Sequence, residues 1–306
     1  LNSVFPGCQN ACGSPNAFQL QRDNMATQNY TFSLSSGIAA SITPRSSGRI
    51  PYASCPLCDG KQLGDHRHAS CAQHPMYKAG LSDEMRWMQC ADCKHVFTHG
   101  YWNEEALARI FGSANPHQLP GNNPHGSRSI SAKMVEKVIR CLGEVQGTWL
   151  DVGFGNGALL GAAQEYGFNV VGLDLREQAV ELIRLDGIEA HVMLFENYLP
   201  PEPLRVISMA DVLEHVPHPI PVLQHAHRLL ADDGLLFLSM PNDECYAWRM
   251  LDRTGQNPYW GELEHYHNFG RERLCQLLRT QGFEAIDYGI SERYYLCMEV
   301  IARKRA

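Results

Sequence analysis

No apolar run in this chain of 306 residues approaches the ~20 residues that a membrane-spanning helix requires, so an integral membrane protein is not expected. The N-terminus lacks a basic stretch followed by an apolar core, so no secretory signal is expected there; the chain begins at Leu1, and Met25 offers an alternative start. Basic charge is scarce as well. Lys and Arg number 26 against 33 Asp and Glu, a formal net charge of −7. The one tight basic run, Arg303-Lys304-Arg305, closes the chain and reads as a solvated tail. Nucleic-acid binders usually carry a basic excess or stripe, so a nucleic-acid partner is not expected. There is no internal repeat.

What is present suits a globular protein with a large core and an appendage. Hydrophobic residues make up 44% of the chain and charged residues 19%. Of eleven cysteines, four form two Cys-x-x-Cys pairs. A disulfide framework would be unusual around so large a core. Reduced thiols in the cytoplasm, some of them on metal, are the expectation.

Four regions follow one another. Residues 1–50 are rich in Ser, Asn, Gly, Ala and Gln and read as a poorly ordered leader; Cys8 and Cys12 within it read as ordinary exposed cysteines. Residues 51–100 hold cysteines, histidines and prolines with few long apolar runs. Residues 101–147 read as a helical linker in two pieces, NEEALARIF and SISAKMVEKVIRCL, the second capped by Ser129 or Ser131. From residue 148 to 306, strand-like and helix-like stretches alternate: TWLDVGF, GALLGAAQEYG, NVVGLDL, REQAVELIRLDG, IEAHVML, LRVISMAD, HPIPVLQHAHRLLADDG closed by Gly234, and LLFLSMP. Apolar strands separated by amphipathic helices predict a parallel sheet covered on both faces. After the helix RERLCQLLRTQG, the runs FEAIDYGI and YYLCMEVIAR predict a terminal antiparallel hairpin.

Cys55-Pro-Leu-Cys58 and Cys90-Ala-Asp-Cys93 can each present two thiolates to one tetrahedral zinc, and four thiolates close such a site against water. The 31 residues between Cys58 and Cys90 exceed the ~15–20 of ordinary spacing. Either a loop holding Cys71-Ala-Gln-His74 bulges out, or that pair supplies ligands instead; four cysteines are favoured. Neither knuckle opens a βαβ unit, which argues against a redox pair.

Asp151-Val-Gly153-Phe-Gly155-Asn-Gly157 stands where a buried strand gives way to a helix. Glycines there let the backbone turn tightly and approach a ligand, and the helix offers free N–H groups. Asp174, at the end of the next strand, can accept both hydroxyls of a ribose. Gly153-x-Gly155-x-x-Ala158 also satisfies the dinucleotide fingerprint. A nicotinamide-dependent oxidoreductase therefore remains an alternative on these residues alone.

With LDVGFGNG, GLDL, ADVLEHVPHP, GLLFLSMPN and HNFGRERLCQLLRTQGF in this order, residues 128–302 resemble the class I (Rossmann-like) S-adenosylmethionine-dependent methyltransferases. The resemblance implies an α/β fold: a Rossmann-like seven-stranded, mostly parallel sheet with the terminal hairpin, preceded by the small zinc-ribbon module. It implies that Asp151, Gly153, Gly155 and Asn156 line the methionine half of the cofactor. Asp174 would hold the ribose, Leu175 would pack on the adenine, and Phe195 and Glu196 would flank it, although FENYLPPEP lacks the usual Gly-Asp pair. Ala210, Asp211 and Val212 would form the floor under the sulfonium.

Transfer from a sulfonium is chiefly in-line positioning of the acceptor, and a hydroxyl acceptor also needs a base near neutral pH. Family placement puts His215 under the methyl group and His265 in the segment covering the acceptor pocket, with His267 a lesser candidate. Glu214 with His215 could instead ligate a divalent metal, as a similar pattern suggests in quinone O-methyltransferases. Tyr259 and Trp260 suit either an acceptor lid or core packing. The fourth strand ends Ala-Asp-Val-Leu, without the Asn/Asp-Pro-Pro-aromatic motif of adenine amino methylation or a cysteine placed to attack a pyrimidine. CPLC followed by MQCADCKHVFTHGYW resembles a group of bacterial methyltransferases linked to sugar or glycan modification, whose zinc is structural. The expectation is transfer to oxygen of a small molecule or sugar. An RNA methyltransferase that docks RNA on the ribbon, and a non-catalytic scaffold, are the rivals.

Overall fold

The computed structural model describes residues 48–111, 118–294 and 296–305, all within one unit. The leader expected over residues 1–50 lies almost wholly outside the described residues. Among the described residues no helix is long and apolar enough to cross a membrane.

The central sheet has seven strands. Parallel strands β6 (Thr148–Val152), β7 (Asn169–Asp174), β8 (Glu189–Val192), β9 (Leu204–Ala210) and β10 (Leu230–Pro241) are joined by antiparallel β12 (Phe283–Ile290) and β13 (Cys297–Lys304), in the order β12-β13-β10-β9-β6-β7-β8. This is the expected mostly parallel sheet with its terminal hairpin. Alternation along the strands divides the core in two. Leu236 and Leu238 of β10 join one apolar cluster, and Leu235 and Phe237 join the other, as period-two geometry requires.

Helices α3 (Ala158–Tyr166), α4 (Glu177–Leu185), α5 (Pro219–Leu229) and α7 (Arg271–Thr280) cover the sheet. Pro219 opens α5, as proline suits a first helical turn. That helix stops at Leu229 and is not closed by Gly234: Ala-Asp-Asp-Gly instead forms an irregularity within β10, with Asp233 at φ 59°. A Cβ on Gly234 would lie 2.9 Å from Ala231 O, so close backbone approach explains this glycine. Helix α2 (Pro124–Leu142) likewise begins earlier than expected. Asn123 caps it, its side chain accepting from Gly126 N, and Ser131 is a buried position inside the helix. Pro124 at the first turn and Asn123 before it form a start signal stronger than either serine.

The cysteine-rich region is built on a four-stranded sheet ordered β11-β4-β3-β2, from β2 (Leu63–Ser70), β3 (Glu84–Cys90), β4 (Val96–Thr98) and β11 (His267–Asn268). Strands β1 (Arg49–Pro51) and β5 (Gly100–Trp102) pair beside it, and α1 (Glu104–Phe111) follows. The long spacer between the two knuckles is thus mostly a β2–β3 hairpin. The fourth strand, β11, comes from the far end of the chain. Cys55, Leu57, Cys90 and Phe97 share an apolar cluster with the central sheet. Trp87 and Trp102 pack with Trp248 of α6 (Tyr246–Arg253), Trp260 and Tyr266 in another.

Phe237 is wholly buried between β9 and β13. Its truncation to alanine is expected to cost about 3–5 kcal/mol, read as a lowered denaturant midpoint with an unchanged slope.

Candidate active site

Parallel pairing carries the ends of β6, β7 and β9 to one edge of the sheet, and with them Asp151, Asp174 and Asp211. Asp151 is buried on β6. Trp149 Nε1 donates to Ser208 Oγ at 2.8 Å, and Ser208 Oγ donates to Asp151 Oδ1 at 2.6 Å. Ser208, a buried polar residue inside LRVISMA, thereby fixes the carboxylate from the neighbouring strand.

The glycine loop turns as its composition demands, with Gly153, Gly155 and Gly157 at φ 65°, 58° and 74°. A Cβ on Gly153 would meet Val212 Cγ2 at 2.9 Å, and one on Gly157 would meet Ile183 Cδ1 at 2.4 Å. At Gly155 the nearest atom would be 3.9 Å away. A Cβ at Gly153 or Gly157 would crowd a neighbouring side chain, whereas at Gly155 only Gly153 O stands in ordinary contact, which leaves room for a ligand to approach. Asn156 Oδ1 accepts from Ala158 N at 3.2 Å, which uses that side chain at the start of α3.

Asp174 accepts four hydrogen bonds: from Arg176 N at 3.0 Å, Arg176 Nε at 2.8 Å, Arg176 Nη2 at 2.6 Å and Gly155 N at 3.3 Å. Its lone-pair positions are filled, so a diol reaches this carboxylate by displacing the Arg176 fork. Leu175 beside it is exposed. Phe195 packs in the core with its ring 4.9 Å from that of His225, whereas Glu196 is exposed.

Ala210, Asp211 and Val212 are half-buried at the end of β9. Asp211 adopts φ 57°, its N–H donates to Ser239 O at 2.7 Å, and its carboxylate pairs with Arg293 from the β12–β13 turn. Nothing in the sequence pattern singled out Arg293 or Arg176. The turn after Asp211 buries Glu214, whose carboxylate oxygens have no hydrogen-bond partner among the described residues. Burial, reinforced by Asp211, holds this carboxyl well above its usual range.

His215 Nδ1 lies 3.1 Å from Glu264 O. A carbonyl only accepts, so Nδ1 carries the hydrogen and neutral His215 presents a bare Nε2. The rings of His215 and His265 stand 4.7 Å apart at 81°, and one ligand atom each from Glu214, His215 and His265 lie within 4.8 Å of one another. His265 is buried and, among the described residues, has no partner at Nδ1. Burial, then the neighbouring His215, lowers its pKa to about 3. His267 is not available to an acceptor, since both of its nitrogens are bonded within the protein. Trp260 is buried among Trp87 and Trp248, which settles it as core, and Tyr259 lies 6.4 Å from His265, ring to ring.

The sulfurs of Cys55, Cys58, Cys90 and Cys93 also lie within 4.8 Å of one another, with Cys55–Cys93 at 3.6 Å and Cys58–Cys90 at 3.5 Å. Zn–S bonds near 2.3 Å give tetrahedral S–S edges of about 3.8 Å, so the cluster has the size of a zinc site. The knuckles match each other in backbone: Asp59 N donates to Cys55 O and Lys94 N to Cys90 O, and Asp59 and Lys94 have φ 60° and 61°. Cys71 and His74 stay apart from the cluster, Cys71 Sγ donating to Ser82 O and His74 Nε2 lying 3.0 Å from Glu262 Oε2.

Residues 127–288, more than half of the chain, match the family described as a methyltransferase domain. The chain belongs to the class I S-adenosylmethionine-dependent methyltransferases. This sets aside the nicotinamide reading of the glycines, and S-adenosylmethionine is the cofactor. The methyltransferase is 32% identical over 114 residues to the ubiquinone biosynthesis O-methyltransferase of Haemophilus ducreyi, covering 33% of this chain and 48% of that one. It is 29% identical over 163 residues to the enzyme of the same name from Xylella fastidiosa, covering 51% and 60%. The chain spans about half the length of these curated relatives. The solved 1,6-didemethyltoxoflavin-N1-methyltransferase of Burkholderia thailandensis, holding 1,6-didemethyltoxoflavin and S-adenosylhomocysteine, superposes with a TM-score of 0.51 at 18% identity, over 71% of this chain and 98% of that one. That likeness is one of fold.

Burial pushes Asp151 up from 3.8 to about 7, opposed in part by the Ser208 hydroxyl. The folded state then retains a proton that the unfolded chain releases, so this group's stabilisation is complete below about pH 4 and lost as pH rises towards 7. Asp151→Asn should remove a slope of up to about 1.4 kcal/mol per pH unit across that window, measured by urea unfolding of the cofactor-free protein at pH 4.5 and 7.

Proposed function

We propose that this methyltransferase transfers its methyl group to oxygen on a small molecule or sugar, with His215 as the general base. The observation that carries the reading is the hydrogen bond from His215 Nδ1 to Glu264 O, which leaves Nε2 as a bare acceptor beside His265. The names of the curated relatives support an oxygen acceptor of small size.

Bound S-adenosylmethionine supplies an electrophilic methyl on a sulfonium that leaves readily. The chain's part is to hold, orient and deprotonate. Asp151, Gly153, Gly155 and Asn156 would hold the methionine half, and the room left beside Gly155 fits that role. Asp174 would take the ribose once Arg176 yields, with Leu175 and Glu196 towards the base. Ala210, Asp211 and Val212 would lie beneath the sulfonium, where the buried acidic groups suit a cation. His215 Nε2 would accept the acceptor's hydroxyl proton, and neutral His265 would shape the pocket wall. His265 is expected to be the poorer base, because burial opposes its protonation.

Phenol, catechol and sugar panels assayed for S-adenosylhomocysteine should reveal turnover. His215→Ala is expected to lower kcat by about 10²–10⁴-fold with little change in cofactor affinity by calorimetry. Full turnover in both His215→Ala and His265→Ala would exclude a histidine base. A divalent cation on Glu214, His215 and His265 is a second reading, favoured by the partnerless Glu214 carboxylate. Loss of turnover on chelation and its recovery with a divalent metal would select it. Steeply salt-dependent binding of structured RNA would overturn the small-acceptor reading.

The four-cysteine cluster would hold a structural zinc. Metal analysis of purified protein should find about one equivalent of zinc, lost in Cys90→Ser; less than about half an equivalent in the unsubstituted protein would contradict the site.

A further inference from the structure

The segment Glu264–Phe269 has two partners. On one side His267 and Asn268 pair with Phe97 and Val96, which completes the sheet of the cysteine-rich region, and Thr98 N donates to Tyr266 O at 2.9 Å. On the other side the same segment grips the turn that carries His215: Tyr266 N donates to Glu214 O at 2.8 Å, and His215 Nδ1 donates to Glu264 O. The segment is thus a seam between the knuckles and the acceptor edge of the sheet.

Two buried imidazoles cross this seam. His267 Nε2 lies 2.9 Å from Val216 O, the residue after His215, and His267 Nδ1 lies 3.0 Å from His95 Nε2. Both rings are 1% exposed. The direction of the chain follows from its end. Val216 O can only accept, so His267 Nε2 carries the hydrogen; the neutral ring then offers a bare Nδ1, and His95 Nε2 must donate to it. His95 Nδ1 is left as a bare lone pair, and among the described residues this buried nitrogen has no partner. Phe97 stacks on His95 at 5.8 Å, and Phe269 lies 5.0 Å from it, so the rings have little freedom to turn. A parallel tie reinforces the first: Tyr52 Oη donates to Pro217 O at 2.7 Å. Two successive carbonyls after His215 are therefore held by side chains of the cysteine-rich region or of the strand that joins it.

We propose that His95 and His267 are positioning residues that tie the turn bearing His215 to the cysteine-rich sheet and so set where His215 Nε2 points. This rests on the assignment of His215 as the base. Neither ring touches an acceptor; each acts through the backbone at Val216. Burying an unpartnered Nδ1 on His95 carries a cost that an apolar side chain there would avoid, and the two-ring tie to the Val216 carbonyl is what the imidazole supplies in return.

The test uses the full chain with its metal and reads the position of the turn rather than methyl transfer, so it is separable from failure of the base assignment. Hydrogen exchange followed by mass spectrometry reports residues 212–218, and ¹⁵N NMR of labelled histidine reports the two ring nitrogens of His215. His267→Phe keeps an aromatic ring but removes both hydrogen bonds; His267→Gln can still donate from Nε2 and accept at Oε1. His267→Phe should raise exchange over 212–218 by about tenfold or more and shift His215 Nδ1 from its hydrogen-bonded position, with metal content unchanged. His267→Gln should stay within about threefold of the unsubstituted protein and keep the His215 signal. Unchanged exchange and unchanged His215 nitrogens in His267→Phe would overturn the proposal, as would equal loosening by Phe and Gln. Should His267→Phe fail to fold, His95→Phe breaks only the outer link. It is expected to move both readouts in the same direction by less, and its silence would equally overturn the proposal.

Discussion

Parallel pairing of β6 with both β7 and β9 is the constraint on which the candidate site depends. Parallel strands end on the same side, so residues far apart in sequence arrive together without any direct affinity for one another. Asp151 and Asp174 are brought side by side in this way, with Asp211 one strand over. The register also delivers Ser208 to Asp151, which is why a hydroxyl sits among the buried residues of β9.

The cost of that convergence is electrostatic. Asp151, Asp211 and Glu214 are all held above their usual carboxyl range, and burial is the leading cause at each. Arg293 answers one of them, and Arg176 answers Asp174 outside this group. A site that buries acidic groups in excess of their partners favours a positively charged guest. The sulfonium and ammonium of S-adenosylmethionine have that character, so the electrostatics agree with the cofactor that the family requires. Asp211 at φ 57° lies at the same edge, where the chemistry is proposed and where strained backbone is often retained.

Periodicity made most of the central sheet legible. The β12–β13 hairpin, the glycine loop and the order of helices follow from local pattern, because each depends on residues close in sequence. What escaped depends on distance. Arg176 and Arg293 look like ordinary surface residues until the fold turns them onto Asp174 and Asp211. The true start of α2 was hidden because Asn123 caps from within a run of loop-forming residues. The helix α6 and its tryptophan cluster carry too short a period to separate from the surrounding loops. His267 was weighed as a base because its neighbours matched a motif, yet its partners, His95 and Val216, stand 172 and 51 residues away. Spacing could propose four cysteines for one metal, but only the β2–β3 hairpin explains why their separation is so long.

The strand β11 has a consequence for how the molecule is made. Val96–Thr98 lies early in the chain, while its partner His267–Asn268 is added some 170 residues later. During synthesis the knuckles can close as soon as Cys93 has emerged, but β4 must wait with one edge unpaired until most of the sheet exists. Open strand edges invite pairing with other chains. The cysteine-rich region is therefore no detachable module: its last strand leaves the ribosome long after β4, and a fragment cut near residue 100 would keep its metal ligands and lose its edge.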